Sequence, residues 1–142
     1  MAVRQYSLAA NGDEKIAPHF LVREFRCRDG SDKILMSDET VELLEKIRAY
    51  YRKQHPGATV VVSSGYRTPS WNRRVGGAKN SQHVKGRAVD FVVRIPSDGI
   101  VDPFTVYEDI DSGRIFGPHR GGLGRYRTFT HIDTGANRRW SG

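Results

Sequence analysis

The chain has 142 residues, 37% hydrophobic and 27% charged, with a formal net charge of +7. That balance describes a chain able to bury one core rather than a disordered tail, and no apolar run approaches the ~20 residues of a helical membrane span. The basic excess favours anionic surroundings such as nucleic acid, an anionic membrane or an acidic cell wall, without choosing among them.

One domain over 1–142 is the expectation, opened by an arm at 1–18 with little pattern. The opening "MAVRQYSLAANGDEKIAP" has no apolar stretch before a small-residue cleavage site. No secretory leader is therefore expected, and another route would have to deliver the protein to a target outside the membrane. Segment 19–30, "HFLVREFRCRDG", is expected to be short, ordered and closed by a turn. Its Cys27 is the only cysteine. It can form neither an internal disulfide nor a multi-thiolate metal site, and is expected to be buried as a small hydrophobe.

The clearest helix spans 37–55. Ser37 caps it, Asp38 and Glu39 suit its positive first turn, and Val41, Leu44, Ile47 and Tyr51 line one face. Pro56-Gly57 ends it. "ATVVVSS" (58–64) is β-branched and predicts a buried strand. A short helix is expected from Pro69 to the Gly76-Gly77 stop, and a strand over 87–95. Segment 102–113 predicts a helix with Asp102 as cap and Pro103 in its first turn. "GGLGRY" and "TFTHIDT" predict two final strands with a tight connection. The fold class is α+β, a mostly antiparallel sheet flanked by helices.

Asp90 interrupts the apolar run "AVDFVV". On a strand, Val89, Phe91 and Val93 share one face and Ala88, Asp90 and Val92 the other. A carboxylate held out of water needs a cation or several donors. His83 lies seven residues earlier. Fully extended, seven residues span roughly 23 Å, so the two side chains meet only if the chain bends, and Gly86 permits a bend. His131 in "FTHIDT" offers a third ligand, with Asp133 on the same face two residues on. Two imidazoles and one carboxylate leave a fourth position open, as in catalytic rather than closed structural zinc sites. Spacing alone leaves a buried His–Asp hydrogen bond as the alternative.

The segments "SSGYRTP", "NRRVGGAKNSQHVKGRAVDF" and "FTHIDT", in that order, resemble the zinc D-alanyl-D-alanine carboxypeptidase family, within the group that includes lysostaphin-type enzymes and the hedgehog signalling domain. The Ser-x-His-x-x-Gly-x-Ala-x-Asp signature is complete as Ser81, His83, Gly86, Ala88 and Asp90. "REFRC", "GLGRY" and "NRRW" resemble the compact branch often found in phages and prophages. The likeness runs over roughly 18–140. It implies a hedgehog/DD-peptidase-like fold with one Zn²⁺ held by His83, Asp90 and His131, and Arg67 of the "SGYR" motif on the scissile carbonyl oxygen. Many relatives carry an acidic general base three positions before the last zinc histidine and another histidine two positions before it. Thr128 and Phe129 stand there in this chain, and Asp133 is the expected substitute base, with orientation of a ligand or capping of the turn at "DTGAN" as the alternative. Ser81 and Tyr66 are the candidate substrate-binding residues, with a local turn bond as the alternative for Ser81 and aromatic packing for Tyr66.

The implied activity is hydrolysis of an amide bond in peptidoglycan stem peptides or cross-links, of the carboxypeptidase, endopeptidase or endolysin type. The partner would be wall peptides and the place of action the cell wall, reached by phage-type release, with the protein a monomer. The alternative is a catalytically inactive zinc-fold module that binds cell wall or a protein. A nucleic-acid binder rests on charge alone, because "GGAKNSQHVKG" lacks the phosphate-loop pattern.

Overall fold

The computed structural model describes residues 2–96 and 99–142. In chain order the elements are β1 (Val3–Ser7), α1 (Leu8–Asn11), β2 (Lys15–Ala17), β3 (Phe20–Leu21), a 3-10 turn (Val22–Phe25), β4 (Lys33–Ser37), α2 (Asp38–Gln54), β5 (Thr59–Ser64), α3 (Pro69–Arg74), β6 (Ala88–Ile95), β7 (Gly99–Ile100), α4 (Pro103–Asp111), β8 (Gly122–Arg125), β9 (Thr130–Asp133) and β10 (Arg138–Ser141). The main sheet runs β10-β8-β9-β6-β5, with β7 paired to β6. Its pairs are antiparallel except β10 with β8, which is parallel. The α+β expectation therefore holds.

One face of the sheet makes the core. Val60 faces Val93, Val62 faces Phe91, and Val89 faces Ile132, which in turn faces Leu123. These side chains are buried together with Leu44, Ile47 and Tyr51 of α2 and Val106 and Ile110 of α4. The α2 face read from the sequence is the buried one. Its Ser37 hydroxyl accepts from Thr40 N, and Asp38 and Glu39 occupy the first turn. Tyr51 Oη donates to Asp109 Oδ2 at 2.7 Å, which ties α2 to α4. Cys27 is fully buried in the same core.

Several strands lie outside those expected from sequence: β1, β2, β3, β4, β7 and β10. The arm expected at 1–18 contains β1, which pairs antiparallel with β4. β1 is a largely exposed strand with mixed side chains, so its hydrophobic alternation is faint. After β8 and β9 the chain adds β10, whose Arg-Arg-Trp-Ser carries little strand signal. Among the described residues no helix is long and apolar enough to cross a membrane.

Candidate metal centre and active-site cleft

The second face of the sheet holds the site, and strand register builds it. Ser64 lies opposite Asp90, Asp90 opposite His131, His131 opposite Gly124, and Gly124 opposite Trp140. Residues directly opposite one another share a face, so this is one row across β5, β6, β9, β8 and β10. A register shift between Val62 and Ser64 brings Ser64 into the row. The next row holds Ala88 opposite Asp133, and Gly122 opposite Arg138.

His83 comes from the loop before β6. Gly86, at φ +72°, turns the chain where a Cβ would strike the Leu35 backbone at 2.8 Å. Gly86 O accepts from Ser37 N at 2.7 Å, and Thr40 Oγ1 donates to Arg87 O at 2.9 Å, so the start of α2 pins this loop. His83, Asp90 and His131 are all buried, with one donor atom from each within 4.8 Å of the others.

The tautomers point to a cation. His83 Nδ1 lies 2.8 Å from Gly65 O, a carbonyl that can only accept, so Nδ1 carries the proton and Nε2 faces the site. His131 Nε2 lies 2.8 Å from Asp133 Oδ2, which leaves Nδ1 facing the site. Both inward nitrogens converge on Asp90 Oδ1, at 3.2 and 2.8 Å. With neutral rings, three lone-pair donors meet at one point with no proton among them. The arrangement is satisfied by a protonated imidazole or by a metal ion. The donor set fits a divalent metal with nitrogen and oxygen preference.

Electrostatics follow from the same contacts. Burial pushes the Asp90 carboxyl up, but hydrogen bonds from His131 and His83 outweigh it and hold it below the usual carboxylate range. Burial pushes His131 down, yet Asp133 and Asp90 outweigh that and raise it. Burial likewise opposes ionisation of Asp133, but His131 and the backbone donors keep its carboxyl low.

A cleft of about 790 Å³ opens over the three residues. Arg67 lies beside it with a side chain 16% exposed. Its Nε donates to Ser64 Oγ at 3.3 Å and its NH1 to Asn72 Oδ1 at 3.1 Å, while NH2 stands 3.5 Å from Asp90 Oδ2. Asn72 also donates to Ala78 O at 2.9 Å, so it couples Arg67 to the loop that lines the cleft. Asn72 sits on α3, and nothing in its sequence context marks its hold on Arg67. Tyr126 and Phe129 stack at 4.3 Å, and Trp140 Nε1 donates to Tyr126 Oη at 2.8 Å, which makes an aromatic wall.

The other expected site residues are placed as follows. Ser81 lines the cleft, and its hydroxyl accepts from His83 N at 3.2 Å. Tyr66 is 3% exposed, packs in the core and does not line the cleft. Its position on the strand-to-helix turn beside Arg67 suggested the cleft, but the chain turns its ring inward. Asp133 is fully buried. Its Oδ1 accepts from Gly122 N at 3.0 Å and Gly135 N at 2.9 Å, and its Oδ2 faces His131. Thr128 is exposed in the β8–β9 connection.

The family model for Peptidase M15 matches residues 18–133. A probable peptidoglycan L,D-endopeptidase MepK from Haemophilus influenzae is 39% identical over 92 residues, covering 60% of this chain and 44% of that protein. The chain thus spans less than half the length of that relative. The matched segment contains the His–Asp–His centre and Arg67, and the chain belongs to the Peptidase M15 family of metallopeptidases.

Proposed function

We propose that this protein is a zinc peptidase that hydrolyses an amide bond in peptidoglycan peptides, acting as an endopeptidase on stem peptides or cross-links. The observation that carries the reading is the convergence of His83 Nε2, Asp90 Oδ1 and His131 Nδ1 at the floor of an open cleft. The name of the Haemophilus relative supports the substrate class and the endopeptidase type. The phage-like branch suggested by "REFRC", "GLGRY" and "NRRW" is part of the same proposal, as is release onto the wall.

His83, Asp90 and His131 would hold the ion. When bound, zinc supplies a water of lowered pKa and a Lewis acid for the peptide carbonyl. Arg67 meets the charge that develops on that carbonyl. It is held by Ser64 and Asn72 before substrate arrives, so its donors need no reorganisation. Asp133 works through His131. Its carboxylate keeps the proton on Nε2 and so presents the Nδ1 lone pair to the ion, a positioning role in place of the general-base role expected from sequence. Ser81 braces the backbone of His83.

The test is mass spectrometry of purified peptidoglycan digested by zinc-loaded protein, with His83→Ala as control. New amine and carboxyl termini absent from the control are expected, and their position names the bond. Tight binding of one zinc with no new termini on several wall types would favour the binding module instead.

A further inference from the structure

Arg138 and Arg139 are neighbours in sequence with opposite fates. Arg139 is saturated. Its Nε donates to Asp111 Oδ1 at 2.8 Å, its NH1 to Gly121 O at 2.7 Å and its NH2 to His119 O at 2.7 Å. It fastens β10 to the body of the protein. Arg138 lies on the site face, opposite Gly122, and lines the cleft.

Among the described residues the Arg138 guanidinium reaches no hydrogen-bond acceptor. Its nearest carboxylate oxygen, Asp133 Oδ2, is 3.9 Å away, beyond hydrogen-bond range. That oxygen is already engaged by His131, and its mate by two backbone N–H groups. The guanidinium carbon instead rests 4.8 Å over the Trp140 ring, and the side chain is 56% exposed. The contact with the ring face leaves the donors of the fork free.

The fold makes room for this arrangement. A Cβ on Gly122 would lie 2.3 Å from Asp133, and one on Gly124 would lie 2.7 Å from Trp140. The bare positions of "GLG" make room for Asp133 at Gly122 and for Trp140 at Gly124. The cleft also carries Arg67, Lys79 and Lys85, whereas its carboxylates, Asp90 and Asp133, are both engaged by histidines. Its field therefore favours a negatively charged occupant.

We propose that Arg138, stacked on Trp140, anchors a carboxylate of the peptide substrate and selects peptides with an acidic group flanking the cleaved bond. The proposal rests on the peptidase reading above and names the chemistry its substrate presents. A planar fork matches a carboxylate through two parallel N–H···O bonds.

The test separates binding from cleavage. Metal-free wild type and Arg138→Gln are titrated calorimetrically with a diaminopimelate-containing stem peptide bearing free carboxylates, and with its carboxamide twin. The wild type is expected to prefer the free peptide by about tenfold or more, and Arg138→Gln to bind both alike. The zinc-loaded proteins then supply the ratio of kcat/KM for the two peptides, with the preference present in wild type and lost in the variant. Circular dichroism and zinc affinity confirm that the variant is folded. Equal binding of the two peptides by wild type, or no binding of either, overturns the anchor. Cleavage with no carboxylate preference overturns the anchor and leaves the peptidase reading standing. Selective binding lost in Arg138→Gln, with no peptide cleaved by wild type, leaves the anchor standing and removes the peptidase reading.

Discussion

Replacing Asp133 by Asn tests how the site controls one proton. The wild-type carboxylate accepts three N–H donors, from Gly122, Gly135 and His131 Nε2. Asn has one accepting oxygen and one donating NH₂. If the oxygen stays with the two backbone N–H groups, the NH₂ faces His131 Nε2, and two donors oppose each other. His131 then relieves the clash by moving its proton to Nδ1, the nitrogen that faces Asp90. That nitrogen loses the lone pair a metal needs. If the amide turns over instead, Gly122 N and Gly135 N meet a donor, and leaving buried N–H groups unsatisfied costs about 1–3 kcal/mol each. Losing such an outer partner lowers metal affinity by roughly 10–100-fold, equal to about 1.4–2.8 kcal/mol. We expect Asp133→Asn to show that loss in a chelator competition for zinc, with the fold intact by circular dichroism. Wild-type zinc affinity combined with a collapse of kcat would refute the reasoning and return Asp133 to the general-base role.

Other expectations follow from the same contacts. Arg67→Lys should lower kcat by about 10²–10³, since a point charge cannot reproduce a fork held by Ser64 and Asn72, while zinc affinity stays within about threefold; steady-state kinetics and zinc titration check the split. Metal-free protein should become less stable as pH rises above the ordinary histidine value of 6.5. The raised pKa of His131 means its contribution is fully present below the unfolded value near 6.5 and is lost as pH climbs through the folded value. The depressed Asp90 and Asp133 act the other way, contributing above the unfolded value of 3.8 and losing that contribution in acid. Zinc competes with the His131 proton, so the rise in Tm on adding zinc should grow with pH, and a flat or falling gain would contradict the ligand assignment. Gly124→Ala should destabilise by about 1–3 kcal/mol in urea, because its Cβ would lie 2.7–2.8 Å from Trp140 ring atoms.

Much of the core was legible in the sequence because it follows short periods, and the three residues at the centre of the site because their motifs carry the family resemblance. The alternation around Asp90 put Val89, Phe91 and Val93 on the core face, and the structure buries all three. The α2 cap, its acidic first turn and its apolar stripe each agree with one helix. What was not legible depends on pairing between distant segments. β1 finds β4 across about thirty residues, and β10 adds in parallel beside β8 with few β-forming residues of its own. Tyr66 adjoins Arg67 in sequence, but only the path of the turn decides which of the two faces the cleft. Asp133 shares a strand face with His131, as read, yet that alone does not distinguish a carboxylate facing water from one enclosed by N–H donors.

The cleft itself is made largely by omission. Around Asp90, His131 and Asp133 the neighbouring positions on the site face are Ser64, Ala88, Gly122 and Gly124. Larger residues there would fill the face as the valines fill the other, and a sheet so covered would have two cores and no site. The space left over is taken by side chains that arrive from outside the rows: His83 by its loop, Arg67 by the turn after β5, and Arg138 with Trp140 by the added strand. Two of the three proposed metal ligands, Asp90 and His131, come from β6 and β9, at the middle of the sheet, where neighbours on both sides hold the backbone. The cleft's aromatic and cationic walls come from the β8–β9 connection, the loop before β6 and the edge strand β10. The loop before β6 carries His83 and is constrained by it, whereas the β8–β9 connection and β10 hold none of the three ligands and can change length and composition without disturbing them. Differences in substrate preference among proteins sharing this centre should therefore track β10 and the β8–β9 connection, and exchanging those two segments between relatives should move preference while leaving zinc affinity in place.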